Sequence, residues 1–228
     1  MQKISMMQNW QQPTKKLNSC LTDYQPFLLA DTDDWALSEG KAQELLRYLE
    51  GAGIAEVICT PPIRKENPQN TVAYLKAAFE RLSSIYGGNV TLHLAARYRL
   101  DEGFLSHLQT EELFCLNNGR HLLVDVSPLQ EYSETGSILQ TIIEIGYVPV
   151  IMQPERTTYW NMDHFIRLHD IGCKFMGSLH SLHGYNGDTA LLHSLELYQR
   201  GWYDYYCSGM EDTKVMHYSE NFWNRNYR

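Results

Sequence analysis

Ile54-Ala55-Glu56-Val57-Ile58-Cys59-Thr60-Pro61-Pro62 is an apolar run, too short for a core helix and shut off by two prolines. Such a run reads as a buried β-strand. On its N-terminal side, Leu37, Ala42, Leu45, Leu46 and Leu49 recur at helical spacing. Ser38 stands at the N-cap position and Gly51 and Gly53 at the stop. On its C-terminal side, Asn70 to Tyr86 carries Val72, Leu75, Ala78, Phe79 and Leu82 on one face and ends at Gly87-Gly88. The unit is therefore helix, strand, helix, and the same alternation fills the chain. Leu21 to Leu29 is a short extended segment. Val90–Tyr98, His121–Val126, Val148–Met152, Cys173–Leu179 and Tyr203–Cys207 read as further strands. Ser137–Ile145, Met162–Asp170 and Thr189–Arg200 read as helices, and Leu105–Leu108 with Glu111-Glu112 as short helical turns.

Strands and helices alternating at this length imply a parallel sheet covered by helices. About seven such β-then-α units, with no composition break between them, favour a closed α/β barrel over an open doubly wound sheet. Residues 1–20 are expected to form an N-terminal arm, and 21–228 a single barrel domain with a C-terminal tail. In barrels of this class the reactive groups sit at the C-terminal ends of the strands. Those ends are Asp23-Tyr24-Gln25-Pro26-Phe27, Thr60-Pro61-Pro62, Ala96-Arg97-Tyr98, Gln153-Pro154-Glu155-Arg156 and Ser208-Gly209-Met210-Glu211.

The bulk properties narrow the setting. The 228 residues are 43% apolar, enough for one large core, and no apolar run reaches the length of a membrane span. Met1 to Asn18 has no apolar core of a signal peptide, so a cytoplasmic protein without membrane insertion is expected. The net charge of −8 would repel a phosphate backbone, which argues against nucleic acid as a partner. The five cysteines form no CxxC pair; buried, reduced thiols are expected at Cys59, Cys173 and Cys207.

Several segments, taken in order, resemble the PHP (polymerase and histidinol phosphatase) superfamily. Thr32-Asp33-Asp34-Trp35-Ala36 resembles its Ile-Asp-Asp-Gly-Ala, and Cys59-Thr60-Pro61 its Ala-Thr-Pro-His. Asn70-Thr71, Ala95-Ala96-Arg97-Tyr98-Arg99-Leu100-Asp101-Glu102, Pro154-Glu155-Arg156 and Ser181-Leu182-x-Gly184-Tyr185-x-Gly187 are similar to motifs of one branch. That branch is the bacterial tyrosine-protein phosphatases associated with capsular polysaccharide regulation. The resemblance covers about Asp23 to Glu211 and implies a somewhat distorted, TIM-like (β/α)7 barrel of the PHP type.

It also implies a cluster of divalent, manganese-like metals held by His, Asp and Glu, which generates a hydroxide nucleophile for phosphoester hydrolysis. Carried over residue by residue, the ligand positions fall on Gln25, Phe27, Pro62, Arg97, Gln153, Gly209 and Glu211. Phe, Pro and Gly offer no ligating side chain, Gln is a weak neutral ligand, and Arg97 places a permanent cation where a dication would be bridged. The expectation is a pseudophosphatase without a metal cofactor, acting in capsular or exopolysaccharide biosynthesis. The alternatives are an active phosphatase with a rebuilt manganese or other divalent site, drawing on Glu211, Asp212, His180 or Asp23, and an anion-binding barrel.

Other features carry a bland reading beside a sharp one. Arg97 and Arg156 at one mouth can hold a phosphate or carboxylate, of a small anion or a phosphorylated protein. Equally, Arg97 can pair with a local acid such as Glu155 or Glu211. The run Asp31, Asp33, Asp34 can bind a hard cation, but suits loop capping better. His180-Ser181-Leu182-His183 lies at a strand-to-loop transition without a third ligand at zinc spacing. His169-Asp170-Ile171-Gly172 mimics a phosphohydrolase signature but ends a helix. The polar arm and the aromatic tail (Tyr218, Phe222, Trp223, Tyr227) suit an interface, so an oligomer is compatible with the sequence.

Overall fold

In the computed structural model, the described residues are 22–110, 112–117 and 119–208. The N-terminal arm and the tail, with Gly209, Glu211 and Asp212, lie outside them. Nine short strands occur among these residues: β1 (Thr22–Gln25), β2 (Glu56–Cys59), β3 (Pro62–Ile63), β4 (Thr91–Leu94), β5 (Arg97–Arg99), β6 (His121–Asp125), β7 (Val148–Met152), β8 (Lys174–Ser178) and β9 (Tyr203–Cys207). The helices are α1 (Glu39–Gly51), α2 (Val72–Ile85), α3 (Phe104–Thr110), α4 (Thr135–Glu144), α5 (Met162–Asp170), α6 (Leu179–Leu182) and α7 (Asp188–Gln199). All strand pairs are parallel, in the orders β1-β2-β4 and β3-β5-β6-β7-β8-β9.

The two sheets are two halves of one wall. β2 and β3 are separated only by Thr60-Pro61, and β4 and β5 only by Ala95-Ala96. Backbone bonds carry the pairing across both breaks: Thr60 N–H donates to the Gln25 carbonyl, Ala95 N–H to Cys59 and Arg97 N–H to Pro61. The prolines interrupt the ladder because they have no N–H to give. Counting each broken pair as one strand gives seven, lying side by side in chain order. A singly wound parallel sheet puts every right-handed crossover helix on one face, and curling protects the other.

The packing follows this geometry. Tyr24, Ile58, Ala95, Leu123, Val150, Met176 and Cys207, about one from each strand, form an inner cluster. The alternate residues, such as Val57, Leu122, Val124, Ile151 and Phe175, point the other way and pack in two larger clusters with the helices. The seven-unit reading and most element boundaries hold. Val90–Tyr98 is split rather than continuous, and His180–His183 is a short helix, α6, with its C-cap instead of a bare loop. Ser38 caps α1 by position but makes no side-chain capping bond, whereas Thr71 and Asn161 cap α2 and α5 with theirs. Cys59, Cys115, Cys173 and Cys207 are all free and buried.

β9 and β1 meet at the seam. No backbone ladder joins them among the described residues; a buried carboxylate bridges them instead. Asp23 accepts bonds from the Ser208 N–H (2.8 Å), the Ser208 hydroxyl (2.7 Å), the Gln25 amide (2.6 Å) and the Tyr24 N–H (2.9 Å). Burial pushes its carboxyl up from the usual range, and these bonds pull against that shift. Asp23→Ala strands buried donors on both strands and should cost about 3–5 kcal/mol of unfolding free energy in urea titration. A loss below about 1 kcal/mol would mean the seam is held elsewhere.

Candidate functional site: an arginine-lined barrel mouth

Strand alternation sets the mouth. Tyr98 is buried against the helices, so Arg97 and Arg99 on either side of it face the opposite way, as Asp125 does two residues beyond inward-facing Leu123. The charged ends meet in a row. Arg64 Nη2 lies 3.4 Å from Asp33 Oδ1, and Arg97 Nη2 lies 3.8 Å from Asp33 Oδ2. Arg97 Nε is 3.8 Å, and Arg99 Nη2 3.0 Å, from Asp125 Oδ2. Three guanidiniums share these two carboxylates, and Arg64 Nε also lies 3.9 Å from Glu66 Oε2.

The local acid that holds Arg97 is thus neither Glu155 nor, among the described residues, any other expected partner; it is the pair Asp33 and Asp125. The acidic run splits three ways. Asp31 pairs with Arg81 at 3.8 Å, the Asp33 side chain is 1% exposed, and Asp34 faces solvent. Asp33 keeps its loop role as well, accepting the Trp35 N–H.

Gln153 is the other pivot. It adopts φ 48°, a left-handed conformation that costs a side-chain-bearing residue about 1–2 kcal/mol and is most often found at functional or tightly determined sites. The turn swings Pro154–Arg156 across the mouth. Gln153 Oε1 then accepts from Arg156 Nη1 at 2.7 Å, while its amide donates to the Cys207 sulfur at 3.3 Å. Arg97, Gln153 and Arg156 line one recess together with Phe27, Ser178 and His180. The two predicted anion-binding arginines are therefore brought together, and Gln153 positions one of them.

The recess holds unspent hydrogen-bonding capacity. Among the described residues Arg97 Nε, Ser178 Oγ and His180 Nε2 are buried without a hydrogen bond, Arg97 Nε having only the long ion contact to Asp125. Burial lowers the His180 imidazole to about 4, helped by His183 and Arg156, so it is neutral at physiological pH and can donate or accept. Tyr185 lies against it, with ring centroids 5.0 Å apart. Sequence reading missed Ser178, Tyr185, Asp125 and Arg99. The last two were findable as the i+2 neighbours of inward-facing Leu123 and of Arg97.

The Pro154-Glu155-Arg156 motif divides its labour. Glu155 turns inward and accepts the Ser178 N–H (2.9 Å) and the Tyr203 hydroxyl (3.0 Å), with a further bond from Ser181. Gly177 makes room for this: a Cβ there would lie 2.6 Å from the Tyr203 ring. Pocket and wall share Ser178, which ties the recess to this buried network.

No three His, Cys, Asp or Glu side chains among the described residues converge as metal ligands. Asp23 is spent at the seam. His169-Asp170 ends α5 before Gly172 at φ +97°, with His169 stacked on Trp202, which fits a helix terminus and not a catalytic pair.

Burial raises the Glu155 carboxyl above its ordinary value of 4.5. Its protonated form is therefore the one the fold prefers, so that contribution is complete below about 4.5 and is lost as pH rises through the folded pKa. Glu155→Gln mimics the protonated form at every pH. The unfolding free energy of the unaltered protein relative to this variant should be highest in acid and fall with rising pH, by at most about 1.4 kcal/mol per unit. A flat difference in urea titrations across that range would contradict the assignment.

Comparison with known proteins places this geometry. Residues 21–214 match the family described as capsular polysaccharide synthesis, CpsB/CapC. A Staphylococcus aureus protein named for tyrosine-protein phosphatase activity, CapC, is 23% identical over 139 residues, 60% of this chain and 54% of that one. The tyrosine-protein phosphatase CpsB of Streptococcus pneumoniae is 26% identical over 160 residues, 67% of this chain and 65% of its own. The matched region thus spans between about half and two thirds of these relatives. A crystal structure from work on YwqE of Bacillus subtilis and CpsB of Streptococcus pneumoniae, metal-dependent tyrosine phosphatases, superposes with a TM-score of 0.78 at 21% identity. It covers 91% of this chain and 87% of that one, and it bears out the α/β fold. With the family profile spanning most of its length, the chain belongs to the capsular polysaccharide synthesis CpsB/CapC family.

Proposed function

We propose that this chain is a tyrosine-phosphatase-like member of its family that has lost metal-dependent hydrolysis and keeps the barrel mouth as an anion-binding, regulatory module. Its natural ligand on this reading is a phosphorylated protein or a small anion, and its setting is capsular or exopolysaccharide biosynthesis.

The observation that carries the reading is the row Arg64–Asp33–Arg97–Asp125–Arg99 across the mouth. The metal dependence named for the CpsB-type relatives demands anionic or imidazole donors. The described residues at the corresponding positions do not fit such a cluster. Phe27 and Pro62 supply no ligating atom, Gln25 donates its amide to Asp23 and Ser208, Gln153 is engaged by Arg156, and Arg97 is itself a cation. A guanidinium can bind phosphate bidentately, but it does not ionise a water molecule to hydroxide. Binding without turnover is the chemistry left to these side chains.

Two measurements test this. With manganese supplied, kcat/KM on a tyrosine phosphopeptide should lie at least about 10³-fold below that of a CpsB-type relative, roughly 4 kcal/mol of lost transition-state stabilisation. Turnover within ten-fold of the relative, with stoichiometric manganese by mass spectrometry, would instead establish a rebuilt metal site. Separately, Arg97→Ala and Arg156→Ala should each weaken phosphate binding by calorimetry by about 10-fold or more, as expected when a charge-assisted hydrogen bond is lost.

A further inference from the structure

The recess does not stand alone. Arg97, Met152, Gln153 and Arg156 also line a second depression that runs over Arg99 and Asp125. Arg99 in turn borders a third, wider groove between the loops after β3, β5 and β6. The three form one trough across the open end of the barrel, and its charge changes sign along its length. At the recess end stand Arg97, Arg99 and Arg156, against Asp33 and Asp125 among the described residues. At the far end Arg64 lies 3.9 Å from Glu66 besides its contact with Asp33, and Lys65 pairs with Glu102 at 2.7 Å. That leaves Asp34, Asp101 and Glu131 in excess there, with Asp34 and Glu131 exposed.

Two large exposed apolar side chains belong to the loops that border this acidic end. Trp35, next to Asp34, is 73% exposed, and Leu129, within the loop that supplies Gln130 and Glu131, is 79% exposed. Exposed Trp and Leu beside a polar groove mark a surface that gains by being covered.

We propose that the trough binds a polypeptide segment of a partner protein, one that seats an anionic side chain in the arginine recess and lays lysine or arginine residues, with an apolar neighbour, along the acidic end. The inference rests on the reading of the mouth as an anion site and adds the chemistry of what surrounds the anion. Arg97 Nε, Ser178 Oγ and His180 Nε2, buried without a hydrogen bond among the described residues, supply the demand for an acceptor-rich head group. The sign change selects the rest of the ligand. A nucleic acid, an anionic glycan or an anionic membrane carries one sign throughout and is repelled by the far end. Only a chain of mixed charge matches both ends, and Trp35 with Leu129 favours a polypeptide among such chains.

The test uses fluorescein-labelled synthetic peptides and the full-length protein. Each peptide carries a phosphotyrosine or a glutamate head, a Gly-Leu spacer, and either an Arg-Arg or a Glu-Glu flank. With either head, the Arg-Arg flank should bind about five- to ten-fold tighter than Glu-Glu, the size of one or two exposed ion pairs, and added salt should compress the ratio. The two heads distinguish a phosphoryl from a carboxylate anion. The surface pair Asp34→Lys and Glu131→Lys, checked by circular dichroism, should abolish or invert the flank preference without changing affinity for inorganic phosphate. Equal affinity for both flanks, an unaltered preference in the double variant, or binding of phosphate but no peptide would each overturn the proposal. Phosphate release is followed in the same samples. Hydrolysis of the phosphotyrosine peptide would defeat the proposed loss of catalysis while leaving the flank preference to be judged on its own ratio.

Discussion

Arg97 is the group on which the open end of this barrel depends. It stands on β5 between two carboxylates from different parts of the chain, Asp33 after β1 and Asp125 at the end of β6, and each of these is shared with a further arginine. Loops at the mouth of a βα barrel are fastened to the wall only at their ends, so something must cross between them. Here the crossing is electrostatic, and it works because the partners are shielded. The Asp33 side chain is 1% exposed and that of Arg97 13%. Such shielded charges are expensive to leave unpaired, so each holds its neighbour in place more firmly than an exposed pair would. Arg156, which pairs with no carboxylate among the described residues and is held by neutral Gln153, then gives the mouth its surplus positive charge and its pull on an anion.

The same logic explains what the family-like motifs do in this chain. Each retained motif has structural work to do. Glu155 fastens the β7 turn to β8 and β9 through Ser178 and Tyr203. Asn70 donates both to the Thr32 and to the Pro62 carbonyl, joining the loops after β1 and β3. Ser181 links Asn186 to Glu155. None of these contacts involves a metal. A site can lose its ligands position by position, but a buried carboxylate that caps backbone donors cannot be deleted without leaving those donors orphaned.

The fold was legible in the sequence because its signals are local and repeated. Apolar runs of strand length, helical spacing between them and glycine stops each specify an element without reference to the rest. The break at Ala95-Ala96 was not legible, since nothing in Val90–Tyr98 interrupts the strand pattern. The reason lies across the sheet, where the Thr60-Pro61 interruption in the neighbouring strand breaks the ladder. The site was legible only as a set of positions. That Arg97 and Arg156 share one recess follows from strand order. That Arg97 pairs with Asp33 and Asp125, and not Glu155, depends on where side chains separated by tens of residues come to rest, and on Glu155 finding better partners inside the wall. The left-handed turn at Gln153, which aims Arg156, has no sequence signature, because the residue carrying it is neither glycine nor asparagine.

On the proposed reading guanidiniums stand where relatives would hold dications, and that changes what the mouth can do. A divalent ion concentrates charge at a point, binds oxygen atoms in its own coordination shell and acidifies water. A guanidinium spreads one charge over a planar fork, holds an oxyanion from one side, and keeps its protons throughout the physiological range. On the reading proposed here, the ligand is therefore held but not attacked, and nothing in the mouth consumes it. Selectivity must then come from equilibrium contacts alone, since no chemical step follows to discriminate among bound molecules. That makes the surroundings of the anion, the change of sign along the trough and the exposed Trp35 and Leu129, more consequential than they would be in an enzyme. A hydrolase is judged by the transition state it stabilises; a binder built on the same barrel is judged by everything its ligand touches.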